Sequence, residues 1–164
     1  MQTIFSDQKI TPFLWYDDKA EEAINFYISL FKDSRILTIS RYWDAMPEMK
    51  WKVMTAVFEL AWQKFMAIDG WPFFRFTEAI SLFVDCESQE EVDYLWEKLS
   101  EGWEKSQCWW LKDKYWLSWQ IIPRLLWELM WDPDAEKSTR VMQAMLKMTK
   151  IESDILKLAY DNKL

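Results

Sequence analysis

The stretch ITPFLWYDDKAEEAINFYISLF, residues 10–31, decides the fold of the first part of the chain. Its apolar run over residues 10–16 ends at Asp17 and Asp18, and the change of period that follows predicts a strand and then a helix. Asp18 and Glu21 have the spacing of a capping box at the start of that helix. The apolar residues at helical spacing are Ala20, Ala23, Ile24, Tyr27, Leu30 and Phe31.

Three further runs, rich in β-branched and aromatic residues, follow this strand and helix. They cover residues 35–43, 50–60 and 64–69, and each is predicted to be a strand. The first module therefore has the element order βαβββ and spans about residues 8–70.

The same order is repeated in the next part of the chain. Residues 79–85 predict a strand, and Ser88 with Glu91 forms the capping box of a helix that ends near Gly102. A weaker extended stretch at 104–107 and the runs 108–113 and 117–123 complete a second βαβββ module at about residues 76–123. This duplication predicts an α+β fold in which the two sheets curl toward each other.

The remaining residues, 124–164, predict a C-terminal helical extension. Apolar residues at helical spacing indicate one helix over residues 125–130, a second that begins at Asp132 and Pro133, and a third over residues 151–159. These helices are expected to cover the sheet or a partner chain. All 164 residues are predicted to form a single domain.

Composition and charge exclude several classes of function. The chain is 51% hydrophobic and carries a formal net charge of -7 with interleaved acids and bases, so no nucleic-acid partner is expected. No run approaches the roughly 18 apolar residues of a membrane span, and the first residues lack a signal-peptide pattern, so we expect a cytoplasmic protein with no membrane partner. The absence of histidine excludes His-based catalytic triads and His-ligated metals. Cys86 and Cys108 are expected to be reduced thiols.

Three carboxylates and one thiol near predicted strand ends are candidates for acid-base or nucleophilic chemistry. Asp69, Glu78 and Asp85 are interpreted as solvated or backbone-capping groups rather than catalytic ones. Cys86 precedes a helix, which would lower its pKa, but the neighbouring acidic residues oppose that effect.

Several segments resemble one protein family. The chain is similar to the PhnB-like branch of the vicinal oxygen chelate superfamily, a group that includes glyoxalases and bleomycin-resistance proteins and is often labelled 3-demethylubiquinone methyltransferase. The resemblance implies two βαβββ modules that enclose a U-shaped cleft, and a homodimer. The segments that carry it are ITPFLWYDDKAEEAINFYISLFKDS, KFMAIDG, FRFTEAISLFVDC, SQEEVDYLWEKL, WLKDKY, LSWQIIP and DPDAEKSTRVMQAMLKM.

The metal positions of this superfamily are not filled by metal ligands here. Relatives take their ligands from the first and last strands of each module, and the matching residues are Thr11, Met66 or Ala67, Ala79, and Gln120. Because Met, Ala and Thr are poor ligands for a divalent ion and Gln120 is a neutral amide, we expect no metal and no other cofactor. A metal-dependent lyase, isomerase or dioxygenase remains an alternative.

The resemblance and strand alternation together predict a small-molecule cleft. The function expected is that of a small-molecule-binding or catalytically undefined family member, whose natural ligand is unknown. The residues expected to line the cleft are Thr11, Phe13, Trp15, Ala67, Ser81, Phe83, Ser118 and Gln120.

Tryptophan stands at many positions where the family pattern has glycine. The chain has 13 tryptophans and 2 glycines. A tryptophan held at positive φ costs about 1–2 kcal/mol, so the pattern indicates an altered family member, and an engineered tryptophan-rich scaffold is a further alternative. The substituted positions are Trp43, Trp51, Trp62, Trp71, Trp103, Trp109, Trp116, Trp127 and Trp131.

Overall fold

Two separate sheets, each with a helix on one face, and a group of C-terminal helices make up the α+β architecture. The computed structural model describes residues 8–44, 46–101 and 109–164. The chain divides into two units, residues 1–75 and residues 76–164. Within the described residues, no helix has the length and apolar character needed to cross a bilayer.

The first unit has the predicted order βαβββ. Its elements are β1 Phe13–Tyr16, α1 Ala20–Leu30, β2 Arg35–Arg41, a short 3₁₀ turn Pro47–Met49, β3 Val53–Leu60 and β4 Gln63–Asp69. The strands form sheet one in the order β1-β4-β3-β2, in which β1 is parallel to β4 and the other pairs are antiparallel.

One face of sheet one is packed against α1, and alternate residues of β1 and β4 are buried there. Leu14 pairs with Ala67, which in turn pairs with Ala56, and all three are buried. The helix contributes its own buried stripe of Ala20, Ala23, Ile24 and Tyr27.

The predicted capping box at the start of α1 is wrong. Lys19 is the N-cap residue, it makes no side-chain capping bond, and Asp18 adopts a left-handed φ of 58°. The buried carboxylate of Asp69, at the end of β4, takes over the role and accepts from the backbone N–H groups of Ala20 at 2.8 Å and Val53 at 3.0 Å. The cap therefore comes from a residue distant in sequence, which local spacing does not reveal.

The second unit contains sheet two and the C-terminal helices. The elements are β5 Ser81–Cys86, α2 Gln89–Leu99, β6 Trp110–Lys112, β7 Ser118–Pro123, α3 Arg124–Met130, α4 Ala135–Met145 and α5 Ser153–Tyr160. Sheet two has the order β5-β7-β6, with β5 parallel and β6 antiparallel to β7. The predicted stretch 104–107 and the predicted helix end at Gly102 lie outside the described residues.

The capping box of α2 is confirmed, whereas α4 begins at Ala135 with Asp134 as its N-cap, after the predicted start at Asp132 and Pro133. The Ser88 hydroxyl accepts from the Glu91 N–H at 3.3 Å, and the Glu91 carboxylate accepts from the Glu87 N–H at 2.8 Å. The three predicted C-terminal helices are present and share one apolar core with the end of β7. This core consists of Ile122, Leu126, Val141, Met145, Ile151 and Leu156.

Four of the tryptophans have left-handed backbone. The φ angles are 71° at Trp51, 69° at Trp62, 55° at Trp109 and 72° at Trp116. In the β3–β4 hairpin, Trp62 follows Ala61 at φ 45°, so both residues of the two-residue loop have positive φ, as in a type I′ turn. Trp103 lies outside the described residues.

Candidate functional site

The face of sheet two that points away from α2 carries two rows of side chains, most of which are polar or aromatic. In the strand register, Ser81 pairs with Ser118 and Ser118 pairs with Lys112. The next row on the same face joins Phe83, Gln120 and Trp110. We call these six residues the open face. The opposite face is apolar and is packed on α2; it contains Leu82, Val84, Leu111, Trp119 and Ile121.

Gln120, at the centre of the open face, is held by two hydrogen bonds. Its Nε2 donates to Ser81 Oγ at 2.7 Å, and its Oε1 accepts from Trp109 Nε1 at 3.2 Å. Since the indole N–H can only donate, this second contact requires the amide oxygen to face Trp109. The amide orientation is thereby fixed, and Ser81 accepts from Gln120, which leaves its own hydroxyl proton for another partner.

Ser118 is the unusual residue of the open face. Its side chain is 1% exposed, and its Oγ has no hydrogen-bond partner among the residues that the structure describes. A buried polar group without a partner costs about 1–3 kcal/mol. Such a group is rare in a folded protein and calls for an explanation.

Lys112 supplies the cation of the first row. Its ammonium forms an ion pair with Glu78, which precedes β5, and lies 5.7 Å from the ring centroid of Trp116. The hydrogen bond from Lys112 lowers the pKa of Glu78 below its usual value, so that carboxylate is ionised at neutral pH.

The second row gives the open face an apolar part. Phe83 is 48% exposed and its ring centroid lies 6.2 Å from that of Trp127. The row beyond it is closed off, because Ile122 belongs to the core of the C-terminal helices and Asp85 forms an ion pair with Arg124 at 2.9 Å.

In sheet one, Phe13 and Trp15 lie on the face opposite to α1. The Trp15 indole donates to the Trp71 carbonyl at 2.9 Å and meets the Phe74 ring edge-on at 5.0 Å. It also lies directly over Gly70, where an added Cβ would be 2.0 Å from Trp15 Cζ2. The absence of a side chain at Gly70 is therefore what allows Trp15 its position.

The structure places the other predicted residues of the first module differently. Ala67 is fully buried and lies on the α1 side of the sheet, so its side chain does not share a face with Phe13 and Trp15. In the register, Phe13 pairs with Met66, which takes the place on the open side that was predicted for Ala67. Thr11 precedes the first residue of β1 and is half-buried.

The residues at the superfamily's metal positions do not make a metal site. Gln120 Oε1 is already bonded to Trp109, and Ala79 is an exposed turn residue that precedes β5. Over residues 8–44, 46–101 and 109–164, no three His, Cys, Asp or Glu side chains are grouped so that they could hold a metal ion. Because alanine has no donor atom and none of the matching residues carries a charged carboxylate, this donor set does not fit a divalent cation.

Two buried ionisable groups serve the fold rather than the open face. Asp113 was missed by sequence reasoning: one carboxylate oxygen accepts from the N–H groups of Tyr115 at 2.8 Å and Leu117 at 3.1 Å, and the other accepts from Trp119 Nε1 at 2.8 Å. The carboxylate thus organises the β6–β7 turn. Burial raises the pKa of the Cys86 thiol to about 12, which makes it unreactive at neutral pH.

Comparison with known proteins connects this fold to a family. The model of the PhnB-like family described as 3-demethylubiquinone-9 3-methyltransferase matches residues 8–122. The chain belongs to this PhnB-like family. Its α+β fold, with two sheets of mixed strands, is consistent with that membership.

Solved structures of relatives support the same conclusion. A PhnB protein from Bacillus cereus is 42% identical, with a TM-score of 0.64, and the match covers 71% of this chain and 99% of that one. A protein from Pseudomonas aeruginosa is 19% identical with a TM-score of 0.58 over 71% of this chain and 97% of its own, which shows the shared fold alone. No curated protein matches the chain. The family match ends at residue 122, before α3.

Proposed function

We propose that this PhnB-like protein binds a small molecule on the open face of sheet two. The observation that carries the proposal is the buried Ser118 hydroxyl, which has no partner among the described residues. A ligand atom that hydrogen-bonds to this hydroxyl would offset the cost of burying it. In this proposal Ser118 is a ligand-binding residue, and its unsatisfied hydroxyl lowers the free energy of unfolding of the ligand-free protein.

The neighbouring residues have distinct roles in this proposal. Gln120 and Ser81 present a fixed pair of polar groups, because each holds the other in one orientation. Phe83 supplies exposed aromatic surface for the apolar part of the ligand. In the first module, Thr11, Phe13 and Trp15 are proposed separately as a ligand-contacting group of sheet one, supported by the exposure of Phe13 and the fixed position of Trp15.

The proposal is tested with Ser118→Ala and a matched control, Ser29→Ala, which removes an exposed hydroxyl on α1. A thermal-shift screen of small molecules identifies binders of the wild-type protein, and calorimetry measures each affinity on all three proteins. We expect Ser118→Ala to weaken binding about 2- to 10-fold, the value of one neutral hydrogen bond, and Ser29→Ala to leave it unchanged. Equal affinity of the wild type and Ser118→Ala for every binder would overturn the proposal.

Stability provides a second readout for the same variant. Removal of an unpartnered buried hydroxyl should raise the free energy of unfolding of the ligand-free protein by about 1 kcal/mol or more. Tighter folding together with weaker binding is the combination that a ligand-binding role predicts. A purely structural serine would lose stability when its hydroxyl is removed.

Catalysis forms no part of the proposal. The description of the family model names a methyltransferase. Ligand binding is the step that such an enzyme shares with a non-catalytic binding protein, and the open face supports that step. Since the donor set at the superfamily's metal positions does not fit a metal ion, we derive no metal-assisted reaction.

We also propose that the protein forms a homodimer through its C-terminal helices. Large apolar side chains on these helices are exposed, among them Met142 of α4 and Leu158 of α5. Their burial in a second copy would remove apolar surface from water. Light scattering should give about twice the 20.0 kDa chain mass, and a 20.0 kDa monomer at tens of micromolar would contradict this proposal.

A further inference from the structure

The first row of the open face offers hydrogen-bond donors. Ser81 accepts from Gln120 and keeps its own O–H, Ser118 has an O–H without a partner among the described residues, and Lys112 contributes an ammonium. These three side chains are direct neighbours across β5, β7 and β6. A row in which three adjacent groups can donate is suited to a ligand group with several acceptor oxygens.

The second row defines what lies beside that group. Phe83 lies two residues after Ser81 in β5, and Trp110 lies two residues before Lys112 in the antiparallel β6. At a rise of about 3.3 Å per residue, both are about 7 Å from the donor row. A ligand that uses both rows therefore has an apolar, ring-sized body separated from its polar end by a short chain.

We propose that the open face of sheet two selects a small carboxylate whose anionic end lies on Ser81, Ser118 and Lys112 and whose apolar body packs on Phe83. This inference rests on the proposed function and adds the ligand class. Asp85, the acidic residue of the adjoining row, is neutralised by Arg124, so it does not counter the charge of Lys112.

Glu78 has a particular role in this arrangement. It is an exposed carboxylate that forms an ion pair with Lys112 in the ligand-free protein. A ligand carboxylate would compete with it for the same ammonium. Glu78 is therefore a positioning residue that keeps Lys112 at the edge of the row and lowers the affinity for anions.

The test uses 4-phenylbutyrate and its neutral amide, 4-phenylbutanamide, as probes, because the two have the same size and apolar body, while the amide lacks the negative charge and has an NH2 group in place of one acceptor oxygen. Calorimetry measures both on the wild type, Lys112→Met, Glu78→Gln and the control Lys114→Met, which removes a charge from the exposed turn of the same hairpin. We expect the acid to bind the wild type at least tenfold more tightly than the amide, a difference of about 1.4 kcal/mol. Lys112→Met should abolish that preference, Glu78→Gln should strengthen acid binding, and Lys114→Met should change neither.

The outcomes separate this inference from the proposed function. If both probes bind equally and Ser118→Ala weakens both, the open face binds ligands but the carboxylate class is wrong. If acid binding is unchanged in Lys112→Met, the inference is overturned. If Ser118→Ala changes the binding of no ligand, the proposed function itself fails.

A second inference comes from a different observation, the left-handed tryptophans. Trp51, Trp62 and Trp116 lie in turns, have φ between 69° and 72°, and leave their indoles substantially exposed. Trp116 is the last residue of a turn, and its N–H donates to the Asp113 carbonyl at 2.9 Å. Hairpins of this kind have a residue with positive φ at that position. Exposed indoles recover little packing energy, so the sequence and the backbone disagree at these three positions.

We infer that these three positions are occupied by glycine in the native protein and that their codon is UGA. Different genetic codes read UGA as stop, tryptophan or glycine, so the same codon can be translated as either residue. A chain whose UGA codons are written as tryptophan would keep few glycines and gain tryptophans at tight turns, as this one does. The donor row of the open face contains none of these tryptophans, although the Lys112 ammonium lies 5.7 Å from the ring centroid of Trp116.

The coding DNA tests this inference directly. We expect UGA at Trp51, Trp62 and Trp116, and UGG at Trp15 and Trp96, which have no glycine-like geometry. Mass spectrometry of the protein from its native source should then show glycine at the three turn positions. UGG codons at those positions, or tryptophan in the native peptides, would overturn the inference.

Discussion

The substitution Trp116→Gly isolates the cost of a tryptophan in a left-handed turn. Trp116 has φ 72°, and its side chain is 46% exposed. Relief of the clash between Cβ and the backbone should return about 1–2 kcal/mol. The indole's contact with the Lys112 ammonium, 5.7 Å away at a partly exposed site, offsets about 0.5 kcal/mol of that gain. We expect a net increase of about 1 kcal/mol in the free energy of unfolding.

Chemical denaturation with a matched control measures this effect. Trp131→Gly makes the same chemical change at an exposed residue with an ordinary φ of -93°, so it relieves no strain and should leave stability unchanged or slightly lower. The denaturation midpoint of Trp116→Gly should rise at an unchanged slope. A lower midpoint at the same slope would refute the strain argument, because it would mean that the indole's packing outweighs the backbone cost.

Three further predictions concern buried or tightly packed groups. Asp113→Ala removes a carboxylate that accepts three hydrogen bonds, so the free energy of unfolding should fall by about 3 kcal/mol or more; an unchanged denaturation midpoint would contradict this. Gly70→Ala forces Trp15 to move, which should cost about 1–3 kcal/mol and shift the indole fluorescence, whereas an unchanged spectrum and stability would show that no clash exists. In a Cys108→Ser background, Cys86 should resist thiol labelling until the protein unfolds, and rapid labelling of the native protein at pH 8 would disprove this. Because the folded pKa of the Cys86 thiol, about 12, exceeds the ordinary 9.0, its contribution to stability should be complete below pH 9 and be lost as the pH rises toward 12.

The order of elements could be read from the sequence because each rests on a local pattern. The change of period after Asp17 marks β1 and α1, and the capping box at Ser88 marks α2. The start of α1 could not be predicted in this way, because its capping carboxylate belongs to Asp69 at the end of β4, which is far from α1 in the sequence.

Strand alternation was sufficient to predict which residues of sheet two have side chains on the same face. Ser81, Phe83, Ser118 and Gln120 share a face because they are paired in register across parallel strands. In β4, Met66 rather than Ala67 pairs with Phe13. The sequence does not specify this register, and a shift of one residue moves a side chain to the other face.

Interactions that depend on three-dimensional proximity were not predictable. The Lys112 ion pair joins two residues that are separated in sequence by the whole of α2. That Ser118 has no hydrogen-bond partner within the described part of the chain depends on its three-dimensional surroundings rather than on its sequence neighbours. These two features carry the proposed ligand class.

The most direct test of the central claim is to locate bound 4-phenylbutyrate by intermolecular nuclear Overhauser effects. We predict contacts from its ring protons to Phe83 and Trp110 and from its chain protons to Ser118. The competing location is a cavity of about 490 Å³ between α4 and α5, whose lining includes Arg140 and Lys147. Contacts confined to that cavity, with none to the open face, would contradict the account.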